Sequence, residues 1–302
     1  MGNSLPLVSI AIPTYNRANG YLREALQASL GQSYPAIEII VSDNFSSDNT
    51  EEVVKSYSDS RIRYFRQSEN IGANNNFNFC LEQARGAYFL LLPDDDLIDY
   101  DFIDLCMKTA NYNTDIGIIR TGTRRINSKG ECIDETTNRV VGLSTLEFFL
   151  GWFDNKTSPY MCSTLFNSRR LREIGGFKSK HNLFQDVIAE VKLAAQFGRV
   201  DIHDIKASFR KHSEEMTFTV KVGEWCEDSL ELLDVMCDLV PGKRDLIRAK
   251  GMPFMANLNY NRASAVRSAG RGVLAFFIVF SKFRFLYLPS RRHLRHLIRH
   301  AI

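Results

Sequence analysis

No two cysteines in this chain are separated by two residues, and none of the six lies with histidine at zinc-ligand spacing. Scattered thiols of this kind exclude a zinc ribbon and a disulfide framework, and they suit a reducing compartment. The opening stretch MGNSLPLVSIAIP lacks a basic residue ahead of its apolar run and lacks a cleavage-site pattern, so it is not expected to be a signal peptide. Met1 and Gly2 begin as an acylation signal would, but Pro6 stands where Ser or Thr is required. Internal repeats and low-complexity tracts are absent. Acids are missing from the end: the last is Asp245, and residues 246–302 carry eleven Lys or Arg and no Asp or Glu. The preceding 245 residues hold 27 bases against 35 acids, a net of −8. An acidic body with a wholly basic tail is not the footprint of a nucleic-acid binder, and it points to an anionic surface met by the tail alone.

What is present suits a folded protein. At 302 residues, 44% hydrophobic and 24% charged, the chain can bury a large core, and one α/β domain with an appendage is expected. The most informative run is LLLPDDDLI at 90–98, an apolar strand ending in Asp94, Asp95 and Asp96. Three adjacent carboxylates repel one another unless something positive sits among them. Mg²⁺ or Mn²⁺, held by one or two acids plus substrate phosphates, is the usual answer. A solvated acidic turn is the alternative, and the upstream segments weigh against it. LVSIAI (7–12) reads as a buried strand stopped by Pro13, residues 21–30 as a helix ending at Gly31, and IEIIVS (37–42) as a second strand. A short helix over 51–57, a strand over IRYFR, a helix over 73–84 and the strand AYFLLL (87–92) follow. Such alternation predicts right-handed crossovers and a mostly parallel sheet. Ligands of such sheets bind beyond the carboxyl ends of the strands, where loops 13–17, 43–50 and 93–96 fall. DIGIIRTGT and YMCSTLFN read as further strands, STLEFFLGWF and DVIAEVKLAAQFG as helices, and the chain beyond about 222 as nearly all helical.

Four segments stand in order: VSIAIPTYNR (8–17), IEIIVSDNFSSDNT (37–50), NIGANNNFNFCLEQARGAYFLLLPDDD (70–96) and IGGFKSKHNLFQD (174–186). Together they resemble the family-2 glycosyltransferases of the GT-A fold, over roughly residues 5–215. The resemblance implies an α/β fold, a mostly parallel twisted sheet flanked by helices, and inverting transfer of a sugar from a nucleoside-diphosphate sugar to an acceptor hydroxyl. It divides the chain into a catalytic domain, 1–220, with a nucleotide-sugar half (1–97) and an acceptor half (98–220), and a helical, basic C-terminal extension, 221–302. Pro13, Thr14, Tyr15, Asn16 and Arg17 would line the donor, with Asn74 beside them. Asp43 would accept a hydrogen bond from the N–H of a uracil-like base, although Asp at a strand end also makes a good turn or cap residue. Asn44 and Ser46 form a glycosylation sequon in the same loop, where a glycan would block the donor pocket, so a cytosolic site is expected. Pro93 replaces the first Asp of the commoner family pattern. The remaining alignment gives Asp94 to the donor ribose and Asp95 to the metal, with Asp96 beside the metal or on the acceptor side.

Inverting transfer is a direct displacement, so the acceptor hydroxyl must lose its proton as it attacks. The resemblance places that base at the acid after the Gly-Gly-Phe loop, here Asp186, with Gln185 replacing the usual neighbouring Glu. Loss of that like charge would lower the Asp186 pKa relative to the usual pair. His212, after the strand ASF, would contact the diphosphate or metal, with an exposed strand end as the alternative. Trp152, Phe153 and Tyr160 could stack on an acceptor sugar or belong to the core.

The apolar stretch 273–288 is interrupted by Lys282 and Arg284, and is too short to span a bilayer. RRHLRHLIRHAI (291–302) places Leu294, Leu297, Ile298 and Ala301 opposite its bases, an interfacial pattern. The expected enzyme is therefore a metal-dependent glycosyltransferase, peripheral on the cytoplasmic membrane face, extending a glycan or lipid-linked saccharide. A sugar-nucleotide nucleotidyltransferase would need a Gly-rich basic loop after the first strand, which PTYNRANG is not. A transferase-like scaffold would have lost the motif acids, all of which are present here.

Overall fold

The buried run VSIAIPT forms the central strand β1 (Val8–Thr14) of a computed structural model that describes residues 5–212, 221–266 and 269–299. The strand continues through Pro13 instead of stopping there. Thr14 presents its carbonyl to Asn44 on one side, and Ala11 presents its carbonyl to Leu92 on the other. Pro13 shares the side of Ala11, where the neighbouring strand β4 (Tyr88–Leu91) has already ended, so its missing N–H costs no ladder bond. Beyond β1 on the opposite side lie β2 (Ile37–Asp43) and β3 (Ile62–Arg66), all parallel. The crossovers run through α1 (Leu22–Leu30), α2 (Thr50–Lys55) and α3 (Ala73–Gln83). This is the alternating unit expected from the sequence, and it delivers loops 13–17, 43–50 and 93–96 to one sheet edge.

The second half adds β5 (Leu97–Ile98), α4 (Phe102–Thr109), β6 (Ile118–Ile126), β7 (Cys132–Thr136) and α5 (Thr145–Phe153). A 3₁₀ turn (Met161–Ser163) leads into β8 (Thr164–Asn167), followed by α6 (Ser168–Glu173), α7 (Gln185–Phe197) and β9 (Arg199–Arg210). The sheet order is β3-β2-β1-β4-β8-β6-β9-β5, with β7 paired to β6. Strands β8, β5 and β7 run against the other six, so the sheet is mixed but mostly parallel. Two strands depart from the sequence reading. The start of YMCSTLFN is the 3₁₀ turn, and β7 carries no apolar alternation because nearly all of it is exposed.

The C-terminal extension comprises α8 (Val222–Leu239), α9 (Arg244–Ser264), α10 (Ala269–Lys282) and α11 (Arg291–Arg299). Trp225, Leu232, Leu233 and Met236 of α8 and Met255 of α9 share one hydrophobic core with Phe148 and Phe149 of α5 and Val187 of α7. Phe276, Val279 and Phe283 of the α10 region enter the same core, while Val273, Leu274 and Phe277 stay exposed. Of the apolar face expected on α11, Leu294 is exposed; Ala301 and the side chains of Leu297 and Ile298 lie outside the described residues. None of the described helices is long and apolar enough to cross a membrane.

Candidate active site

Loops 13–17 and 43–50 are laced together at the carboxyl ends of β1 and β2. The Asn16 N–H donates to Ser46 Oγ (2.8 Å), the Ser47 N–H to Asn16 Oδ1 (2.8 Å), and the Ala18 N–H to Asp48 Oδ2 (2.9 Å). Asn16 adopts φ 53°, a left-handed conformation that Asn tolerates better than most residues. Asp43 is wholly buried: Oδ1 accepts from the Ser46 N–H (2.7 Å) and Oδ2 from the Tyr64 hydroxyl (2.7 Å). The turn-forming role open to it in the sequence is thus in place, and it sets the floor of this loop pair. Asn44 is also buried, with Oδ1 accepting from the Ile71 N–H and Nδ2 donating to Asn70 Oδ1, so its sequon amide is engaged inside the fold.

The same loop reaches the acids. Thr14 Oγ1 donates to Asp94 Oδ2 (2.6 Å), the Tyr15 amide also bonds the carboxylate, and Arg17 Nε lies 3.7 Å from Oδ1. Burial, then the charge of Asp95, push the Asp94 carboxyl up to about 7, against the opposing pull of Thr14 and Arg17. Tyr15 itself stays exposed, free to line an incoming ligand. Pro13, Thr14, Tyr15, Asn16, Arg17 and Asp94 therefore converge.

Asp95 and Asp96 part company. Asp96 is buried; its Oδ1 accepts from the Arg210 N–H (2.8 Å) and its carboxyl also meets Cys162. Burial, followed by the charge of Asp95, holds it well above the usual carboxylate range. Asp96 thus secures β9 to the acidic turn, whereas Asp95 keeps a partly exposed carboxylate with Oδ2 at 2.8 Å from His212 Nε2. Arg210 braces this pair: its Nε donates to the Asp95 carbonyl (2.8 Å), its guanidinium binds Glu24 Oε2 (2.7 Å) and lies 4.1 Å from the Tyr21 ring centroid. Tyr21 in turn packs against His212. A carboxylate oxygen beside an imidazole nitrogen is a donor set that a transition metal such as Mn²⁺ accepts once the hydrogen bond between them is given up. Among the described residues no group of three or more His, Cys, Asp or Glu converges as a metal cage.

The Gly-Gly-Phe loop is held from α3. Asn78 clamps Phe177 as a backbone strand would, donating Nδ2 to its carbonyl (3.0 Å) and accepting its N–H at Oδ1 (2.9 Å). Asn74 Nδ2 donates to the same carbonyl (3.1 Å), and Asn74 Oδ1 is buried without a hydrogen-bond partner. So Asn74, read as a donor-site residue, reaches from α3 to the loop that precedes Asp186. Asp186 is the second residue of α7, and burial raises its carboxyl to about 6. One turn on, Glu190 and Arg120 form an ion pair (3.2 Å) with no solvent exposure, and Thr164 Oγ1 donates to Glu190 (3.0 Å). Burial raises the Glu190 carboxyl to about 7 despite Arg120. Segment 160–164 touches both centres, with Cys162 on Asp96 and Thr164 on Glu190, and so packs α7 beside the acidic turn. Sequence reasoning missed Arg120, Glu190 and Asn78, since a lone Arg in a strand or Asn in a helix carries no local signal. Trp152 and Phe153 pack with Phe254, and Trp152 also meets Phe184, which makes them core. Tyr160 stacks on Phe209 at 4.6 Å.

The sequence pattern of glycosyl transferase family 2 matches residues 9–170. An uncharacterized glycosyltransferase of Rickettsia felis is 35% identical over 194 residues, 60% of this chain and 30% of that protein. The GalNAc(5)-diNAcBac-PP-undecaprenol beta-1,3-glucosyltransferase of Campylobacter jejuni is 38% identical over 110 residues, 35% of each chain. This chain thus covers about a third of the length of these relatives. Among solved structures, S. aureus TarS 1-349 with UDP-GlcNAc superposes with a TM-score of 0.62 at 15% identity, covering 92% of this chain and 89% of that one. The mannosyltransferase PcManGT of Pyrobaculum calidifontis, with GDP-Man and Mn2+, gives 0.58 at 17% identity, covering 99% and 87%. At these identities the likeness shows the fold.

Proposed function

Because the chain belongs to glycosyl transferase family 2, we propose that it moves a sugar from a nucleoside diphosphate to a hydroxyl of a glycan or lipid-linked saccharide, with inversion and a divalent metal. The observation that carries this reading is the pairing of two devices at one sheet edge: the Thr14, Tyr15 and Arg17 cradle on Asp94, and the Asp95–His212 pair beside it. In this reading residues 1–97 bind the donor, 98–220 the acceptor, and 221–302 form the helical extension. Loop 13–17 lines the nucleotide, Asp43 shapes the base pocket, and Asp94 accepts from the ribose. Asp95 and His212 would hold Mg²⁺ or Mn²⁺, which when bound neutralises charge on the diphosphate. Asp96 keeps Asp95 in place through Arg210.

Asp186 is the base. Its carboxylate takes the proton of the acceptor hydroxyl as that oxygen bonds to the anomeric carbon. The bond from that carbon to the diphosphate oxygen breaks, and its electron pair leaves with the nucleoside diphosphate. A base raised to about 6 is mostly ionised at neutral pH and still close enough to it to accept a proton well.

The exposed face of α10 and the segment after it supply the acceptor's surroundings. Val273, Leu274 and Phe277 are exposed, as are Phe285, Leu286 and Leu288 beyond them, with the Phe277 and Phe285 rings 6.3 Å apart, and Arg271, Lys282, Arg284, Arg291 and Arg292 in the same stretch are exposed too. Apolar side chains flanked by bases suit the interface of an anionic bilayer, and we place the enzyme peripherally on the cytoplasmic face of the membrane.

A thermal-shift panel of UDP, GDP and their sugar nucleotides, with Mn²⁺, Mg²⁺ or EDTA, tests the donor site. One nucleotide should raise the melting temperature in a metal-dependent way, and Asp95→Ala should abolish the metal dependence. No shift with any nucleotide would refute the reading.

A further inference from the structure

Asp228 belongs to α8, in the C-terminal extension, yet its fully buried carboxylate is taken up by the segment that leads into α7. Oδ2 accepts from the Ser179 hydroxyl (2.6 Å), the Leu183 N–H (2.9 Å) and the Phe184 N–H (3.4 Å). Oδ1 accepts from the His181 N–H (2.8 Å). Ser179 Oγ in turn accepts from the same Leu183 and Phe184 amides, at 3.1 and 3.4 Å. Phe184 is the N-cap of α7 and has no capping side chain of its own. The two amides that lead into α7, at Leu183 and Phe184, are thus shared by Ser179 and by a carboxylate 44 residues along the chain from Phe184. Negative charge at this end of α7 is also favoured by the helix dipole. The neighbouring Glu227 joins the rim of the same segment to α10, binding Lys180 (2.6 Å), His181 Nε2 (2.9 Å) and Lys282 (2.7 Å).

Asp186 stands two residues beyond Phe184, so whatever fixes the start of α7 fixes its carboxyl. We infer that Asp228 is a positioning residue for Asp186, and that the C-terminal helices complete the active centre. The inference rests on Asp186 being the base. Only a carboxylate meets the geometry, because an amide offers one acceptor oxygen to donors that converge on two.

The test compares wild type with Asp228→Asn, Ser179→Ala and Asp186→Asn in the full chain. Hydrogen–deuterium exchange reads the amides of 183–188, with β1 as internal control. Turnover is read as nucleoside diphosphate released, with Mn²⁺, from UDP-glucose, UDP-N-acetylglucosamine and GDP-mannose. Thermal shift with UDP and GDP reads the donor site. Asp228→Asn should raise exchange over 183–188 about tenfold with β1 unchanged. It should lower kcat by about 10- to 100-fold while nucleotide binding stays within about twofold. Ser179→Ala leaves the carboxylate in place and should show the same pattern more weakly; it carries the test if Asp228→Asn does not fold. Unchanged exchange in both variants, or nucleotide binding lost in step with turnover, overturns the assignment. If Asp186→Asn keeps full turnover, the base reading itself fails, and the positioning role falls with it.

Discussion

Asp186 is a partly exposed residue whose carboxyl is raised by burial to about 6, and two outcomes follow from that single shift. Only the carboxylate can take a proton, so turnover should climb as pH passes about 6 and level off above it. Asp186→Asn should lower turnover by about 10²- to 10⁴-fold across that range. The folded pKa lies above the ordinary value of 3.8, so the folded state binds more protons than the unfolded state between the two. Stability therefore falls as pH rises from about 4 to about 6, and the neutral amide escapes that loss. Asp186→Asn should be more stable at pH 7.5 by roughly 1–2 kcal/mol, allowing for partial solvent access. Calorimetry beside a pH–rate profile checks both; a lower melting temperature would mean that Asp186 is a structural acid. The sequence disclosed this residue through the motif before it. It could not disclose Asp228 or Asn78, whose partners lie 45 and 99 residues away.

At the scale of elements, the alternating first half was legible because β1, β2 and β4 are buried runs and α1 shows one buried stripe. Pro13 misled the reading of β1, since the harm a proline does depends on which neighbour its missing N–H would face, and that is a property of the sheet. The loop between α6 and α7 shows the same dependence. Gly176 has φ +75°, and a Cβ there would lie 2.3 Å from Asn78 Oδ1, the atom that clamps Phe177. Gly176→Ala should destabilise the fold by on the order of 2 kcal/mol or more and, if Asp186 acts as proposed, reduce turnover, because the loop leads to Asp186. Thermal denaturation would show this, and an unchanged midpoint would mean that α3 does not hold the loop.

For the whole molecule, the basic tail offered two alternatives in the sequence, a membrane surface or packing on the catalytic domain; α10 packs one face into the core and leaves the other exposed. Its Phe276 and Val279 face enters the core while Phe277 remains 59% exposed and Leu288, beyond it, 77%. Flotation with phosphatidylcholine vesicles containing phosphatidylglycerol should retain the protein, and pure phosphatidylcholine should retain little. Phe277→Ser with Leu288→Ser should weaken binding by about tenfold while leaving the melting temperature in place, since neither side chain enters the core. Equal retention by both lipids, or by the variant, would rule out an anionic interface.

The sequence by itself determined the kind of protein this is. Local periodicity set out the alternating strands and helices, and ordered motifs put loop 13–17, the acidic turn and the Asp186 helix in chain order around them. Such features depend on neighbours along the chain, so a linear reading can reach them. Tertiary structure decided which acids are available and which are bound into the fold. Asp95 meets His212 from 117 residues away, Asp96 is tied to β9, and Arg120 and Glu190 find each other in the interior. It also brought α8 against the start of α7. Hydrogen bonds between distant segments satisfy buried polar groups only once the sheet order and helix packing exist, and no pattern of spacing encodes them.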